Sequence, residues 1–210
     1  MIQFTIGFET AITTKDAEAL TMLAERQAKE GAVFVEVGSW TGFSSCTLGV
    51  VVARNGGHLY CVDHWNGSPM TTLFDEAAQK DIYHIFEENL KSAGLWDHVT
   101  PIKSYSVDAS KGFDDNSIDF LFIDADHRYK EFKKDLEAWM PKVKPGGVMC
   151  GHDCEAYYSM INLDTRNELD KNLNMDCPYG YHIGVIRGLY DVFHDEYSAA
   201  ENSTVWFREM

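Results

Sequence analysis

A short apolar run that breaks at a glycine-flanked turn constrains this chain most: Val33-Phe34-Val35-Glu36-Val37, then Gly38-Ser39-Trp40-Thr41-Gly42. The β-branched run predicts a strand buried on both faces, as in a parallel sheet. A helix is expected next, through Cys46 to Val52. A strand that ends in a glycine turn and feeds a helix presents backbone N–H groups and a positive dipole end to a ligand. Glycine there lets the ligand approach the backbone without meeting a Cβ.

The rest of the chain alternates in the same way, the pattern of a wound α/β sheet. Thr13 or Thr14 caps a helix with apolar positions Leu20, Leu23, Ala24 and Ala28, ended by Gly31. A second strand runs from His58 to Val62, and Asn66 to Thr72 reads as a loop. A helix carrying Ile82, Ile85, Phe86 and Leu90 closes at Gly94, and strands follow at Val99–Ile102 and Phe120–Ile123. Tyr129, Phe132, Leu136, Trp139 and Met140 form one helix face, stopped by Pro141. Pro145-Gly146-Gly147 turns the chain into a strand at Val148–Cys150. From Glu155 to Tyr181 the pattern fades into polar residues, read as a lid or substrate-side insertion in a single domain spanning 1–210. A last helix, Val185 to Phe193, and an edge strand, Thr204 to Phe207, finish it; an exposed edge permits a homodimer.

Charge narrows the partners. Eighteen Lys and Arg against 33 Asp and Glu give a net charge of −15, with no basic stripe. That surface repels a phosphate backbone and argues against nucleic acid, in favour of a small neutral or cationic molecule. No apolar run approaches the ~20 residues of a membrane span, and no basic-then-apolar signal pattern opens the chain, so a cytoplasmic protein is expected. The five cysteines include no CxxC pair, and Cys46, Cys61 and Cys150 read as small core residues.

Several residues point to chemistry. The turn reads GxxxG, not the dinucleotide GxGxxG, so the glycine that hugs a pyrophosphate is missing. Glu36, two before Gly38, suits a ligand carrying ammonium and sulfonium charge. Asp63, directly after the second strand, stands where an acid accepts hydrogen bonds from the ribose hydroxyls of an adenosine. Asp124 emerges from buried strand at the ligand edge, with Asp126 and His127 close behind; Asp126 is placed to cap the helix at Tyr129. His152 and Asp153 end the neighbouring strand, so Asp124, His152 and Asp153 converge as ligands for a divalent cation.

The stretches 35–45, Cys61-Val62-Asp63, 123–129 with Asp135-Leu136, Lys144-Pro145-Gly146-Gly147 and Gly151-His152-Asp153, in this order, resemble a class I S-adenosylmethionine (AdoMet)-dependent methyltransferase of the methyltransferase-24 type. The resemblance implies a Rossmann-like domain with helices on both faces of a seven-stranded, mostly parallel sheet in the order 3-2-1-4-5-7-6, its last strand antiparallel. The ligand then sits at the switch between strands 1 and 4. AdoMet would be held by Glu36, Gly38, Ser39, Gly42, Asp63, Asp124 and the loop Ser104-Tyr105-Ser106, which faces the adenine; most relatives have glycine at the position of Ser104.

In similar small-molecule O-methyltransferases, including those acting on macrolide sugars, an acid ends strand four, a histidine follows three residues later and an acidic pair ends strand five. Asp124, His127 and Asp153 fall on those positions, while His152 replaces an acid, which favours Mn²⁺ over Mg²⁺. This implies transfer to a hydroxyl, with His127 as general base beside Asp124, or with a cation instead lowering the acceptor's pKa while orienting it. Two other functions fit less well: an AdoMet-binding protein without catalysis, and an NAD-linked oxidoreductase, which the GxxxG spacing disfavours. Tyr157, Tyr158, Tyr179 and Tyr181 are candidates for an aromatic acceptor pocket. Trp65 is a candidate for the adenosine pocket or for packing.

Overall fold

The computed structural model describes residues 12–210; the expected single domain also takes in residues 1–11, which lie outside the described residues. Seven strands form one sheet: β1 (Val33–Val37), β2 (His58–Asp63), β3 (Val99–Lys103), β4 (Ile118–Ile123), β5 (Val143–Gly151), β6 (Ser198–Ala199) and β7 (Trp206–Glu209). Their order is β3-β2-β1-β4-β5-β7-β6. The first five run parallel, and β7 is antiparallel to both β5 and β6. The helices are α1 (Thr14–Gln27), α2 (Phe43–Asn55), α3 (Thr72–Ala77), α4 (Ile82–Ser92), α5 (Ser106–Ser110), α6 (Tyr129–Trp139), α7 (Leu163–Leu169) and α8 (Ile183–Phe193).

The two faces of the sheet sort by the period of two along each strand. Phe34, Leu59, Phe120, Phe122 and Val148 pack against apolar residues of α1, α2 and α4. Val35, Val37, Leu121, Ile123 and Met149 pack on the other face against α6 and α8. All six residues of β4 are buried, as the centre of a parallel sheet requires. Thr13 caps α1 in a reciprocal capping box with Asp16. No helix among the described residues is long and apolar enough to cross a membrane.

Besides α5, which the sequence does not announce, and β5, which begins at Val143 ahead of the expected turn, three elements differ from the expectations. The expected loop gives way at Thr72 to α3, which has no buried residue and so leaves no apolar periodicity to read. The expected edge strand is shifted to β7, and Trp206 and Phe207 are paired on both sides, with β5 and with β6. The edge argued for a dimer is therefore already occupied at those residues. The stretch 155–181 contains α7 and a small core of its own, in which Tyr158, Ile161 and Leu169 pack on Ile183 and Ile186 of α8.

That packing places α8 hard against the β4–α6 loop. A Cβ on Gly184 would stand 2.1 Å from the His127 carbonyl oxygen and 2.4 Å from the Tyr129 nitrogen. Only glycine lets the helix come so close. Gly184→Ala must push α8 off the loop, at an overpacking cost of about 1–3 kcal/mol. The midpoint of thermal unfolding is expected to fall by at least about 3 °C; an unchanged midpoint in calorimetry would contradict this docking.

Candidate active site

The turn after β1 is tied down from three sides. Gly38 adopts φ +93° and passes so near β4 that a Cβ would lie 1.9 Å from the Asp124 carbonyl oxygen. The backbone N–H groups of Ser39 and Trp40 both donate to Asp63 Oδ2, at 3.0 and 2.9 Å, while the Trp65 N–H donates to Asp63 Oδ1 at 2.6 Å. Trp65 Nε1 and Asn89 Nδ2 donate to the carbonyls of Trp40 and Thr41, each at 2.8 Å. Asp63 thus holds the turn as well as facing the ligand edge.

A cavity of about 560 Å³ opens over this turn. Gly38, Asp63, Ser104, Ser106 and Asp124 line it, as expected of cofactor-binding residues. Glu36, Ser39 and Gly42 are absent from its lining. Glu36 is fully buried behind the turn, where the Ser45 hydroxyl donates to it; burial pushes its carboxyl pKa up, against the pull of Ser44, Ser45 and Ser39. It fixes the start of α2 and does not touch the cavity. The Ser39 side chain is buried, and Gly42 is the N-cap of α2 with its Cα facing Leu90 and Phe86. Trp65 packs on Tyr83 and Phe86, with ring centroids at 4.8 and 5.1 Å.

Beside the cavity, and sharing Asp124 with it, lies a cluster of acids and histidines. His127 Nε2 is 3.0 Å from Asp153 Oδ2 and 3.4 Å from Asp124 Oδ1, and its Nδ1 is 2.8 Å from Asp176 Oδ1. His152 Nδ1 is 2.9 Å from Asp153 Oδ1, and its Nε2 is 3.3 Å from Asp16 Oδ2. His182, the N-cap residue of α8, brings Nδ1 to 3.4 Å from Asp153 and 2.6 Å from Glu155. The expected trio Asp124, His152 and Asp153 does converge, with donor atoms within 4.8 Å of one another, and so do His127, Asp153 and His182. A mixed set of carboxylate oxygens and imidazole nitrogens is chemistry that fits a divalent cation.

The surroundings of His127 bear on its expected role as general base. Burial lowers its pKa, but Asp124, Asp176 and Asp153 outweigh that and hold it well above the usual imidazole range. Both of its nitrogens face carboxylates. Burial likewise opposes charge on His152, which Asp153 and Asp16 raise nonetheless. Asp153, despite burial, is held low by His152, His127 and His182.

Asp16, Asp176 and His182 escaped the sequence reading, since each joins the cluster from a distant segment, and Glu155, two residues beyond Asp153, reads only as the start of the insertion. Asp126 does not cap α6 by its side chain: it accepts from the N–H and guanidinium of Arg128, which is itself the N-cap residue. The four candidate tyrosines do not line the cavity. Tyr157 stacks on Tyr197, the Tyr158 hydroxyl donates to Asp170, and Tyr179 is exposed. A Tyr-x-x-x-Lys pair does occur at Tyr129 and Lys133, but the Tyr129 hydroxyl donates to Asp191 and neither residue lines the cavity. Four cysteines are buried and free, and Cys177 is exposed.

Residues 35–154 match a family model described as a methyltransferase domain. A curated relative, the uncharacterized protein y4gI of Sinorhizobium fredii, is 29% identical over 123 residues, which are 58% of this chain and 13% of that protein. The chain thus spans about an eighth of that relative's length. Among solved structures, the S-adenosylhomocysteine-bound methyltransferase PaMTH1 of Podospora anserina is similar at 14% identity and a TM-score of 0.61, over 91% of this chain and 76% of that one. So is a precorrin 8w decarboxylase of Methanobacterium thermoautotrophicum, at 19% identity and a TM-score of 0.56, over 100% and 96%. At such identities the likeness shows the fold alone.

One further acid lines the cavity. Burial pushes the Asp135 carboxyl up to about 7, Ser106 opposes this, and Asp126 and Glu131 reinforce it. A carboxyl whose pKa is higher folded than unfolded favours folding while protonated, and loses that contribution as pH rises through the folded value. Asp135→Asn is therefore expected to raise the unfolding midpoint at pH 8, with the gain shrinking toward pH 4. A gain independent of pH in calorimetry would refute this account of Asp135.

Proposed function

Because the chain belongs to the class I AdoMet-dependent methyltransferases, by the family match over residues 35–154, we propose that it methylates a hydroxyl oxygen of a small molecule. The observation that carries this is the position of Asp124. Its carboxylate lines the cofactor cavity and also faces the His127–Asp153 cluster, so one group borders both reactants.

In this reading AdoMet lies over Gly38, with the ribose hydroxyls toward Asp63 and the adenine toward Ser104 and Ser106. Asp63 keeps acceptor capacity after its three backbone N–H bonds, since two carboxylate oxygens offer about four lone-pair sites. Displacement at the sulfonium methyl releases a neutral thioether and needs no acid. An alcohol must lose its proton, and Asp124 is the carboxylate placed to receive it. The adjacent His127 ring, with Nε2 3.4 Å from Asp124 Oδ1, fixes Asp124 in place. A divalent cation held by Asp124, His152 and Asp153 would lower the acceptor's pKa and orient it. The net charge of −15 favours a small neutral or cationic acceptor, with residues 155–181 selecting it.

Calorimetric titration with AdoMet tests the first half: Asp63→Ala is expected to weaken binding at least tenfold, by loss of both the ribose contact and the turn's anchor. Release of S-adenosylhomocysteine across a panel of phenols and sugars tests the second. Asp124→Asn is expected to cut that turnover by about 100-fold or more, with a smaller effect on AdoMet affinity. Mass spectrometry showing methyl on nitrogen, or full turnover by the Asn variant, would overturn transfer to oxygen through Asp124.

A further inference from the structure

Five acids line the cofactor cavity: Asp63, Asp124, Asp126, Glu131 and Asp135. Four of them have close partners. Asp63 accepts three backbone N–H groups, and Asp124 faces His127. Asp126 is gripped by the Arg128 guanidinium, and both oxygens of Glu131 accept from Lys134 at 2.9 Å. Asp135 is the exception. It is 5% exposed, and among the described residues no cation stands within ion-pair distance of it; the Ser106 hydroxyl is its hydrogen-bond partner. A buried carboxyl in that position is costly, because burial disfavours its charge and no close cation offsets the loss of water.

The neighbours of Asp135 show what it faces. It lies within α6, where that helix packs on α5. Ser106, the first residue of α5, is held there by the buried Trp139 of α6, whose Nε1 donates to Ser106 Oγ at 2.9 Å. The Ser106 oxygen thus already accepts one bond, and its proton goes to Asp135. Ser104 is committed too, its hydroxyl donating to the Tyr105 carbonyl at 3.1 Å. The loop expected to face adenine therefore offers no strong acceptor, and the carboxyl of Asp135 behind it does. Adenine carries its exocyclic amine on the ring away from the ribose, and an amine N–H left unpaired in a closed cavity is destabilising.

We propose that Asp135 is the specificity-determining residue for the cofactor's base, one carboxyl oxygen accepting from the exocyclic amine of adenine while Ser106 holds the other. The base is then read from within helix α6, whereas the ribose is read from the end of β2. Burial pushes this carboxyl up to about 7, against Ser106 and together with Asp126 and Glu131. At pH 8 it is therefore chiefly ionised, and an ionised carboxylate only accepts. A 6-oxo base puts an oxygen where the amine stood, so that two acceptors face each other. A site built to hydrogen-bond one group rejects the analogue lacking it, because the buried partner is left unpaired. The proposal rests on the methyltransferase reading, since it requires AdoMet in this cavity.

The test titrates the full chain calorimetrically at pH 8 with S-adenosylhomocysteine and with S-inosylhomocysteine, its 6-oxo counterpart. The parent, which needs no variant, is expected to bind the amino form about tenfold or more tightly. Asp135→Asn is expected to abolish most of that preference, because an amide both accepts from an amine and donates to an oxo group. Asp135→Leu, which can do neither, is expected to bind the two forms alike. The Asn variant is the one expected above to gain stability at pH 8, so loss of the fold does not cloud its reading. Equal affinities in the parent, or a full preference retained by either variant, would overturn the role of Asp135. Binding of neither compound to the parent would instead overturn the methyltransferase reading, so the two failures are distinct.

Discussion

The approach of Gly38 to β4 governs the whole ligand edge. With only a hydrogen on its Cα, the chain leaves β1 almost in contact with the Asp124 carbonyl, and the Asp124 N–H in turn donates to the Val37 carbonyl at 2.8 Å. On the other flank Asp63 takes two N–H groups of the same turn. The end of β1 is thereby squeezed between β2 and β4, and the backbone is shaped before any ligand arrives. A bulkier residue at Gly38 would therefore disturb cofactor cavity and histidine cluster together, since Asp124 belongs to both.

The parallel sheet and its switch point were legible because they rest on local signals: β-branched runs, glycine turns and acids at the ends of β2 and β4. Asp63 and Asp124 were readable for the same reason. Glu36 shows where such reading fails. It alternates with Phe34, on the face that α2 covers, but in a strand buried on both faces no polar residue marks which side meets the ligand. Sequence pattern gives the type of residue, and only packing gives its direction.

The histidine cluster was half legible. Asp124, His127, His152 and Asp153 lie at two strand ends and could be brought together by topology alone. Asp16, Asp176 and His182 come from a helix N-terminus, a segment beyond α7 and the entry to α8, and no local periodicity links them. Their convergence depends on non-local packing: the small core of Tyr158, Ile161 and Leu169 against Ile183 and Ile186 holds the segment on α8. The same core explains why a stretch that reads as polar and irregular is nevertheless anchored. Its apolar residues are few, and they are spaced by tertiary contact instead of by a single helix.

The cavity wall carries Asp63, Asp124, Asp126, Glu131 and Asp135 against the cations Arg128 and Lys134. Such a wall attracts a positively charged sulfur more strongly than a neutral one. AdoMet enters with that charge, and the transferred methyl takes it away, leaving a thioether that the same carboxylates have little reason to hold. In the proposed reading the acidity of the pocket thus favours the charged cofactor over the spent one.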